Sequence, residues 1–400
     1  MVGDGVLPTG FARVVHSILE RLCHKYDFHH LALNFSNQEH KSPWTIYPTG
    51  EAGDYFGLDQ AKALVSKIRP KIVFLVNDIW VISNYLAALQ DHRQGARIIG
   101  YCPVDAGPLE PNLIAAVKDL DVLVLYTQFG RREVEKAIEQ LRNAQSGFEF
   151  GEIRVIPHGI DPKVFYPYAN RRLGQSVSAG RKLAREWLFK KSDFADAFIV
   201  LNANRNQPRK RIDITIKGFS LFARDKPPSV KLYLHMGVED CGWNIVLMAK
   251  RHGIEDRLIL TADMPFLPVV SNEVLNCIYN ACDVGINTSI GEGWGLVSFE
   301  HAATGAGQIV PRHSACEELW QDSALMLEPC MTLTTEKSLT EGHFVAPEAV
   351  ANSLNQLYEE PELLAEISAK SFATSTSPEY SWSTLAGHWD RLFREVLAKR

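Results

Sequence analysis

Two glutamates, Glu292 and Glu300, stand eight positions apart in this chain, and two glycines follow closely after the first. The apolar residues 281–287 before them indicate a short buried strand, and the small and apolar residues 296–304 indicate a buried helix. In an open parallel sheet, a turn between a strand and a helix lies at the carboxyl edge, where ligands bind. The N–H groups at the start of such a helix suit an anion such as a phosphate.

The spacing of the two glutamates limits the chemistry they can share. Eight residues of helix rise roughly 12 Å, whereas the two carboxyl groups of a glycosidase lie about 5 to 9.5 Å apart. The pair therefore suits the two ends of an elongated ligand better than acid–base work on one bond. A nucleotide sugar has this shape, because its diphosphate separates the sugar hydroxyls from the ribose hydroxyls. Spacing alone equally allows a solvated loop glutamate and a helix glutamate in a salt bridge.

Residues 289–296, together with Glu300, resemble the E-x7-E signature of the family 4 retaining nucleotide-sugar glycosyltransferases. Trp294 stands where the family usually has Phe, and His301 stands where it usually has Ala. The similarity continues through residues 305–310. The resemblance implies the GT-B fold, which is an α/β fold with two Rossmann-like domains facing across a cleft. It also implies a final helix that crosses back to the N-terminal domain.

The same resemblance assigns roles around the two glutamates. Glu292 would bind hydroxyls of the donor sugar, and Glu300 would hold the ribose hydroxyls. Backbone N–H groups after the first glutamate would face the sugar and the phosphates, and glycine lets a backbone approach a ligand closely. These donor-binding positions are Gly293, Trp294, Gly295 and Leu296.

A basic segment follows the predicted strand 197–202 and resembles the family loop in which Arg and Lys clamp the diphosphate. The match assigns Arg205 and Lys210 to this clamp, and Arg211, in place of the usual Gly, could share the Lys role. Fixed positive groups stabilise the diphosphate leaving group as the glycosidic bond breaks, and they do so without a metal. A solvated basic loop would have the same composition.

Three further positions follow from the resemblance. Residues 260–265 align with the segment that takes the base, which makes Asp263 and Met264 donor-binding candidates. Gly10 aligns with the glycine loop before the first helix and can bring its N–H to the phosphate side. Asp105 follows a predicted strand, in a region where many relatives carry a His, and would orient or activate the acceptor hydroxyl. Each of these residues also has a purely structural explanation. Met264 could belong to the core or to a loop, Gly10 could form a simple turn, and Asp105 could cap a loop.

Composition excludes several classes of protein. The 400 residues carry a net charge of −5 with a pI near 6.2, which argues against a nucleic-acid binder. The seven cysteines form no C-x-x-C pair, which indicates free thiols and no zinc site. Neither a signal peptide nor an apolar run of ~20 residues is evident. We expect a cytoplasmic protein with at most peripheral contact with the inner face of the membrane. The basic residues within 171–191 fit a membrane-surface anchor and an exposed helix face equally.

Strands and helices alternate along the chain, which predicts parallel α/β layers. We expect an N-terminal Rossmann-like acceptor domain over 1–168, joined by the final helix 383–400, and a C-terminal Rossmann-like donor domain over 169–382. The polar residues 168–181 indicate a linker. Only Met1 and Val2 precede Gly3, so we expect either a first strand cut to a stub or a chain that begins downstream of where its relatives do. Other predicted elements are strands 71–76, 97–101, 120–126, 230–235 and 258–260, and helices 11–23, 131–142, 212–224, 244–252, 273–281, 347–358 and 361–370.

The predicted function is a retaining, metal-independent hexosyltransferase. Its catalytic residues would be Glu292, Asp105, Arg205 and Lys210, with no metal ligand and no cofactor beyond the nucleotide-sugar co-substrate. Family frequency favours a UDP-sugar, with glucose first. The acceptor would be a carbohydrate or lipid-linked hydroxyl in polysaccharide or glycoconjugate biosynthesis. The alternatives are a nucleotide-sugar epimerase of the same fold and a non-catalytic sugar-nucleotide-binding protein.

Overall fold

The computed structural model describes residues 1–5, 9–35, 42–49, 54–169, 176–190, 194–336 and 338–399. By their contacts, these residues divide into two compact units. The first unit comprises Met1–Gly159, Glu336–Thr340 and Glu379–Arg400, and the second comprises Ile160–Thr335 and Glu341–Pro378. The division at Gly159 comes nine residues before the domain boundary that we expect at residue 168.

The first unit contains a sheet of seven parallel strands in the order β3-β2-β1-β4-β5-β6-β7. The order reverses between β1 and β4, which makes this a doubly wound sheet. The short first strand lies near the centre of the sheet, between β2 and β4. The strands are β1 Val2–Asp4, β2 His29–Leu33, β3 Thr45–Pro48, β4 Ile72–Val76, β5 Arg97–Cys102, β6 Val122–Leu125 and β7 Glu152–Val155.

Helices cover this sheet, and the last helix of the chain is among them. Asp390 of that helix, α14, pairs with Lys25 at 2.9 Å and accepts a hydrogen bond from the Tyr26 hydroxyl, also at 2.9 Å. Trp389 packs against Phe74 of β4, so the prediction that the final helix returns to the first domain is confirmed. The helices are α1 Gly10–Leu22, α2 Leu58–Ile68, α3 Ile79–Leu89, α4 Pro111–Ala115, α5 Gln128–Ala144 and α14 Trp382–Ala398.

The second unit contains six parallel strands in the order β10-β9-β8-β11-β12-β13. Here the order reverses between β8 and β11. An antiparallel hairpin, β14 with β15, follows the sheet and is absent from our sequence prediction. The strands are β8 Phe198–Asn202, β9 Val230–Leu234, β10 Leu258–Leu260, β11 Val284–Ile286, β12 Gly307–Pro311, β13 Leu325–Leu327, β14 Pro329–Thr334 and β15 Glu341–Val345.

Eight helices are described in the second unit. Most of them present one apolar face to the sheet, and α7 and α12 pack so closely that Gly218 lies directly against Val350. The helices are α6 Val177–Phe189, α7 Ile212–Ala223, α8 Ile245–Arg251, α9 Asn272–Ala281, α10 Leu296–Ala302, α11 Ser314–Trp320, α12 Pro347–Glu359 and α13 Pro361–Ser375.

The structure corrects the predicted linker over 168–181. Residues 170–175 lie outside the described residues, but α6 begins at Val177, so the last part of the segment is helical. Polarity misled the prediction because Arg181 and Arg185 point inward. Arg185 is 4% exposed, and its guanidinium lies 2.6 Å from a carboxylate oxygen of Asp283. Arg181 donates to the carbonyl of Cys282. These two arginines therefore do not contribute to a basic membrane-facing surface. Within the described ranges, no helix combines the length and apolarity needed to cross a membrane.

Candidate functional site

The topology of the second unit brings two predicted segments together. All strands of its sheet are parallel, so the loops that follow them meet at one edge. The basic loop follows β8 and the glutamate loop follows β11, and these two strands are neighbours at the point where the strand order reverses. Ligands of doubly wound sheets bind at this reversal point.

Lys210 and Glu292 form a buried ion pair at this point. The Lys210 ammonium donates to Glu292 Oε1, and both residues are less than a tenth exposed. The same oxygen accepts from the Asn287 side-chain amide at 3.0 Å and from the Ser289 hydroxyl at 3.1 Å. Buried charges persist only when they are paired and hydrogen-bonded, and this carboxylate has both kinds of partner.

The surroundings of Glu292 determine its protonation. Burial raises the pKa of the carboxyl, but the charges of Lys210 and Arg209 and the hydrogen bonds from Lys210 and Asn287 outweigh it. They lower the pKa from 4.5 to about 2. Glu292 is therefore ionised at neutral pH. In that state it accepts hydrogen bonds from hydroxyl groups and has no proton to give to a leaving group.

Arg209 belongs to this cluster, although the sequence did not single it out. Its guanidinium donates to the carbonyl of Gly291 at 3.1 Å and lies 3.5 Å from Glu292 Oε2. In addition, the Arg209 carbonyl accepts from the N–H of Ile290 at 2.9 Å. The basic loop and the glutamate loop are thus tied together by both backbone and side-chain contacts.

The other arginines of the basic loop have different partners. Arg205 makes two parallel hydrogen bonds to Asp240, at 2.8 and 3.0 Å, and Asp240 lies in the loop after β9. Arg211 pairs with Asp213, and its guanidinium lies over the ring of Trp243. The structure therefore brings Lys210 to Glu292 and places Arg205 beside a carboxylate that the sequence did not identify.

The glutamate loop itself leads into α10. Gly295 has φ +88°, a conformation that favours glycine, and immediately precedes the helix. Among the described residues, no backbone oxygen accepts from the N–H groups of Gly293, Gly295 or Leu296. Trp294 is buried and stacks on Phe299 at 4.8 Å, so its aromatic ring is part of the core.

Glu300 lies inside α10, 4% exposed, and accepts a hydrogen bond from the Tyr279 hydroxyl at 3.0 Å. Asp263 and Met264 lie in the loop after β10 and are both exposed. The Met264 carbonyl accepts from the N–H of Val238 at 2.8 Å, which joins this loop to the one that carries Asp240. All three residues thus belong to the second unit, and the two loop residues follow strands at its carboxyl edge.

Two predicted residues belong to the first unit. Gly10 is exposed and begins α1, directly after Thr9, whose hydroxyl accepts from the N–H of Ala12 at 3.0 Å. Asp105 is half-buried in the segment after β5. Both positions lie at the carboxyl edge of the first sheet.

Sequence reasoning missed the residues after β12, which support the glutamate loop. Ser314 Oγ accepts from the backbone N–H of Glu292 at 3.1 Å. The His313 ring contacts that hydroxyl at 3.0 Å through Nδ1 and the Ser289 carbonyl at 2.9 Å through Nε2. Ser314 has φ +48°, an unfavourable value for a residue with a side chain. The sequence alone carried no signal for Ser314, because its positive φ and its contact with the Glu292 N–H exist only in the folded chain.

Comparison with known proteins identifies the fold. No family model matches the chain. The structure of sucrose-phosphate synthase from Thermosynechococcus elongatus superimposes with a TM-score of 0.71 at 17% identity, covering 100% of this chain and 96% of that one. HepE of Anabaena, in complex with UDP and glucose, also has a TM-score of 0.71, at 14% identity and 98% coverage of both chains. The chain has the GT-B fold. The predicted fold class is therefore confirmed, with one Rossmann-like sheet in each of the two units.

A relative identified by sequence matches part of the chain. The mannosylfructose-phosphate synthase of Agrobacterium fabrum (strain C58) is 27% identical over 174 residues, which cover 42% of this chain and 34% of that protein. The match thus spans about a third of the relative's length. Among the described residues, no three or more His, Cys, Asp or Glu side chains form a group that could hold a metal ion.

Proposed function

We propose that this chain is a retaining glycosyltransferase that moves a sugar from a UDP-sugar to an acceptor hydroxyl, with glucose as the first candidate for that sugar. The observation that carries the proposal is the buried Lys210–Glu292 pair at the strand-order reversal of a GT-B domain. It combines a cation for a diphosphate with an ionised acceptor for sugar hydroxyls. Support for the donor comes from HepE, a structural neighbour described in complex with UDP and glucose.

Positive side chains of the basic loop would stabilise the leaving diphosphate. An ammonium carries three N–H donors, so Lys210 can bind a phosphate oxygen while it keeps its hydrogen bond to Glu292. Arg205 lies on the same loop and presents a planar fork that suits phosphate oxygens. These fixed charges are the reason we propose transfer without a metal, since electrostatic stabilisation of the transition state is often the main source of an enzyme's rate enhancement.

Glu292 would hold the hydroxyls of the transferred sugar, and Glu300 the ribose hydroxyls. The acceptor oxygen attacks the anomeric carbon on the face that the diphosphate leaves, and the departing phosphate oxygen takes the acceptor proton. This route retains the configuration at the anomeric carbon. The protein then only has to position the acceptor and the donor and to stabilise the charge of the leaving diphosphate. Gly10, Asp263 and Met264 would complete the donor site, and Asp105 would orient the acceptor.

A donor screen followed by a transfer assay tests the proposal. UDP-glucose should raise the Tm of the wild-type protein more than GDP- or ADP-sugars do. Lys210→Met should reduce that shift and lower kcat/KM by at least about 100-fold, the size expected for one stabilising donor. Lys217→Met, at an exposed position on α7, is the matched control. Addition of EDTA should leave the rate unchanged.

Three results would contradict the proposal. If no nucleotide sugar shifts the Tm, the proposed donor site is refuted. Consumption of the nucleotide sugar without an acceptor, with epimerised product, would identify an epimerase. Binding of a nucleotide sugar without any turnover across a broad acceptor panel would indicate a non-catalytic binding protein.

A further inference from the structure

A row of polar side chains follows four neighbouring strands of the first sheet. β1, β4, β5 and β6 are adjacent in the sheet, and Asp4, Asp78, Asp105 and Tyr126 follow or end them at the carboxyl edge. The N–H of Asn77 donates to the Tyr101 carbonyl at 3.2 Å, which holds the ends of β4 and β5 side by side. Three carboxylates and a phenol therefore share one edge of the acceptor domain.

Tyr126 is unusual among these residues. It is 4% exposed, and its ring packs against Tyr101 at 4.5 Å and His158 at 3.9 Å. Its hydroxyl has no hydrogen-bond partner within the described part of the chain. The neighbouring Tyr101 hydroxyl, in contrast, donates to the Ile156 carbonyl at 2.8 Å. A buried hydroxyl without a partner costs about 1–3 kcal/mol, so a ligand oxygen or a water that accepts a hydrogen bond from it would be stabilising.

Asp78 and Asp105 interact electrostatically with this hydroxyl. Burial raises the pKa of Tyr126 well above its usual value of 10, and the charges of Tyr101, Cys102, Asp78 and Asp105 raise it further. The phenol is therefore a hydrogen-bond donor at any physiological pH. The Asp78 and Asp105 carboxylates, which follow β4 and β5 at the same edge of the sheet, accept hydrogen bonds and repel anions.

One donor beside two acceptors complements a sugar hydroxyl, which both donates and accepts. A phosphate has only acceptor oxygens and negative charge, so it would meet the Asp78 and Asp105 carboxylates unfavourably. We propose that Asp78, Asp105 and Tyr126 form the acceptor subsite, and that this subsite takes the hydroxyl of an uncharged sugar rather than a sugar phosphate. The inference rests on the proposed glycosyltransferase function and goes beyond it by naming the class of acceptor. It also separates this chain from relatives whose names specify phosphorylated sugars.

Matched acceptor pairs test the subsite. Glucose, fructose and mannose are each compared with their 6-phosphates, by transfer from UDP-glucose and by saturation-transfer NMR with the UDP-bound protein. We expect the uncharged member of at least one pair to be preferred by at least tenfold in kcat/KM. Tyr126→Phe removes only the hydroxyl and loses no existing hydrogen bond, so its Tm should stay within about 2 °C of wild type. Its acceptor KM should rise about tenfold, with a smaller change in donor KM, while Tyr166→Phe, at an exposed tyrosine, is the control.

A double variant tests the role of the two carboxylate charges. Asp78→Asn combined with Asp105→Asn should shift the preference toward the 6-phosphates by at least tenfold. Preference of the wild-type protein for sugar phosphates, an unchanged acceptor KM in Tyr126→Phe, or binding of none of the six sugars would overturn the inference. Donor binding separates the two proposals: a protein that binds UDP-glucose but fails these tests refutes only the acceptor subsite.

Discussion

Replacing Lys210 by Met should leave a buried, uncompensated charge on Glu292. Lowering the pKa of this carboxyl from 4.5 to about 2 corresponds to about 3 kcal/mol in favour of the folded, ionised state at neutral pH. Lys210 contributes more to that lowering than Arg209 does. Breaking a buried pair by removing one partner typically costs about 3–5 kcal/mol. We therefore expect Lys210→Met to destabilise the second unit by about 3 kcal/mol.

Differential scanning calorimetry measures this effect as a lower Tm. For a unit of this size, a loss of about 3 kcal/mol lowers Tm by about 6–12 °C. The folded pKa of Glu292 is depressed, so the stabilisation is fully present above pH 4.5 and is lost as pH falls toward 2. The Tm difference between Lys210→Met and wild type should thus be largest near pH 7 and should narrow below about pH 4.

A double variant separates lost packing from unpaired charge. Lys210→Met combined with Glu292→Gln removes both charges and should be more stable than Lys210→Met alone, because replacing both partners is often close to neutral. Lys217→Met, at an exposed lysine of α7, should change Tm by less than about 2 °C. A single variant as stable as this control, or a double variant no more stable than the single, would refute the argument.

Three further predictions concern other contacts of the second unit. Ser314→Ala should lower the free energy of unfolding by about 1–3 kcal/mol, because the Glu292 N–H loses its acceptor while the strained backbone stays. Ser314→Gly should be more stable than Ser314→Ala, because glycine adopts the positive φ without strain. The reverse order would contradict a role for backbone strain. Arg185→Met should lower the free energy of unfolding by about 3–5 kcal/mol, because it leaves Asp283 without its closest cation. Lys182→Met, at an exposed ion pair, should lower it by less than about 1 kcal/mol. Equal effects in calorimetry would mean that the Arg185–Asp283 pair contributes no more than the surface pair. Arg205→Lys should raise the donor KM by about tenfold, because a lysine cannot keep the two-pronged geometry, and initial-rate kinetics with an unchanged KM would remove Arg205 from the donor site.

Several elements were predictable because their cause is local. The helix α1 repeats apolar residues at helical spacing, and the structure buries Val14, Val15, Ile18 and Leu19. The strand β10 has the predicted bounds, Leu258–Leu260. The hairpin of β14 and β15 escaped prediction because β14 is largely exposed and β15 buries only Gly342 and Val345, so neither strand has a run of buried apolar residues to mark it. The helix α6 was partly mistaken for a linker because its arginines pair with the half-buried carboxylate of Asp283, which lies 98 or more positions away in the sequence.

The sequence by itself determined which residues are available for chemistry. A glycine loop between a buried strand and a helix places Glu292 at a sheet edge, and a basic loop after another strand supplies cations, because both features depend on short-range spacing. Only the tertiary structure decided which cation meets which carboxylate. Lys210 and Arg209 reach Glu292, and Arg205 reaches Asp240, because the strand order makes β8 a neighbour of both β11 and β9. That order is set by the packing of the whole sheet, so no local pattern in the chain reveals it.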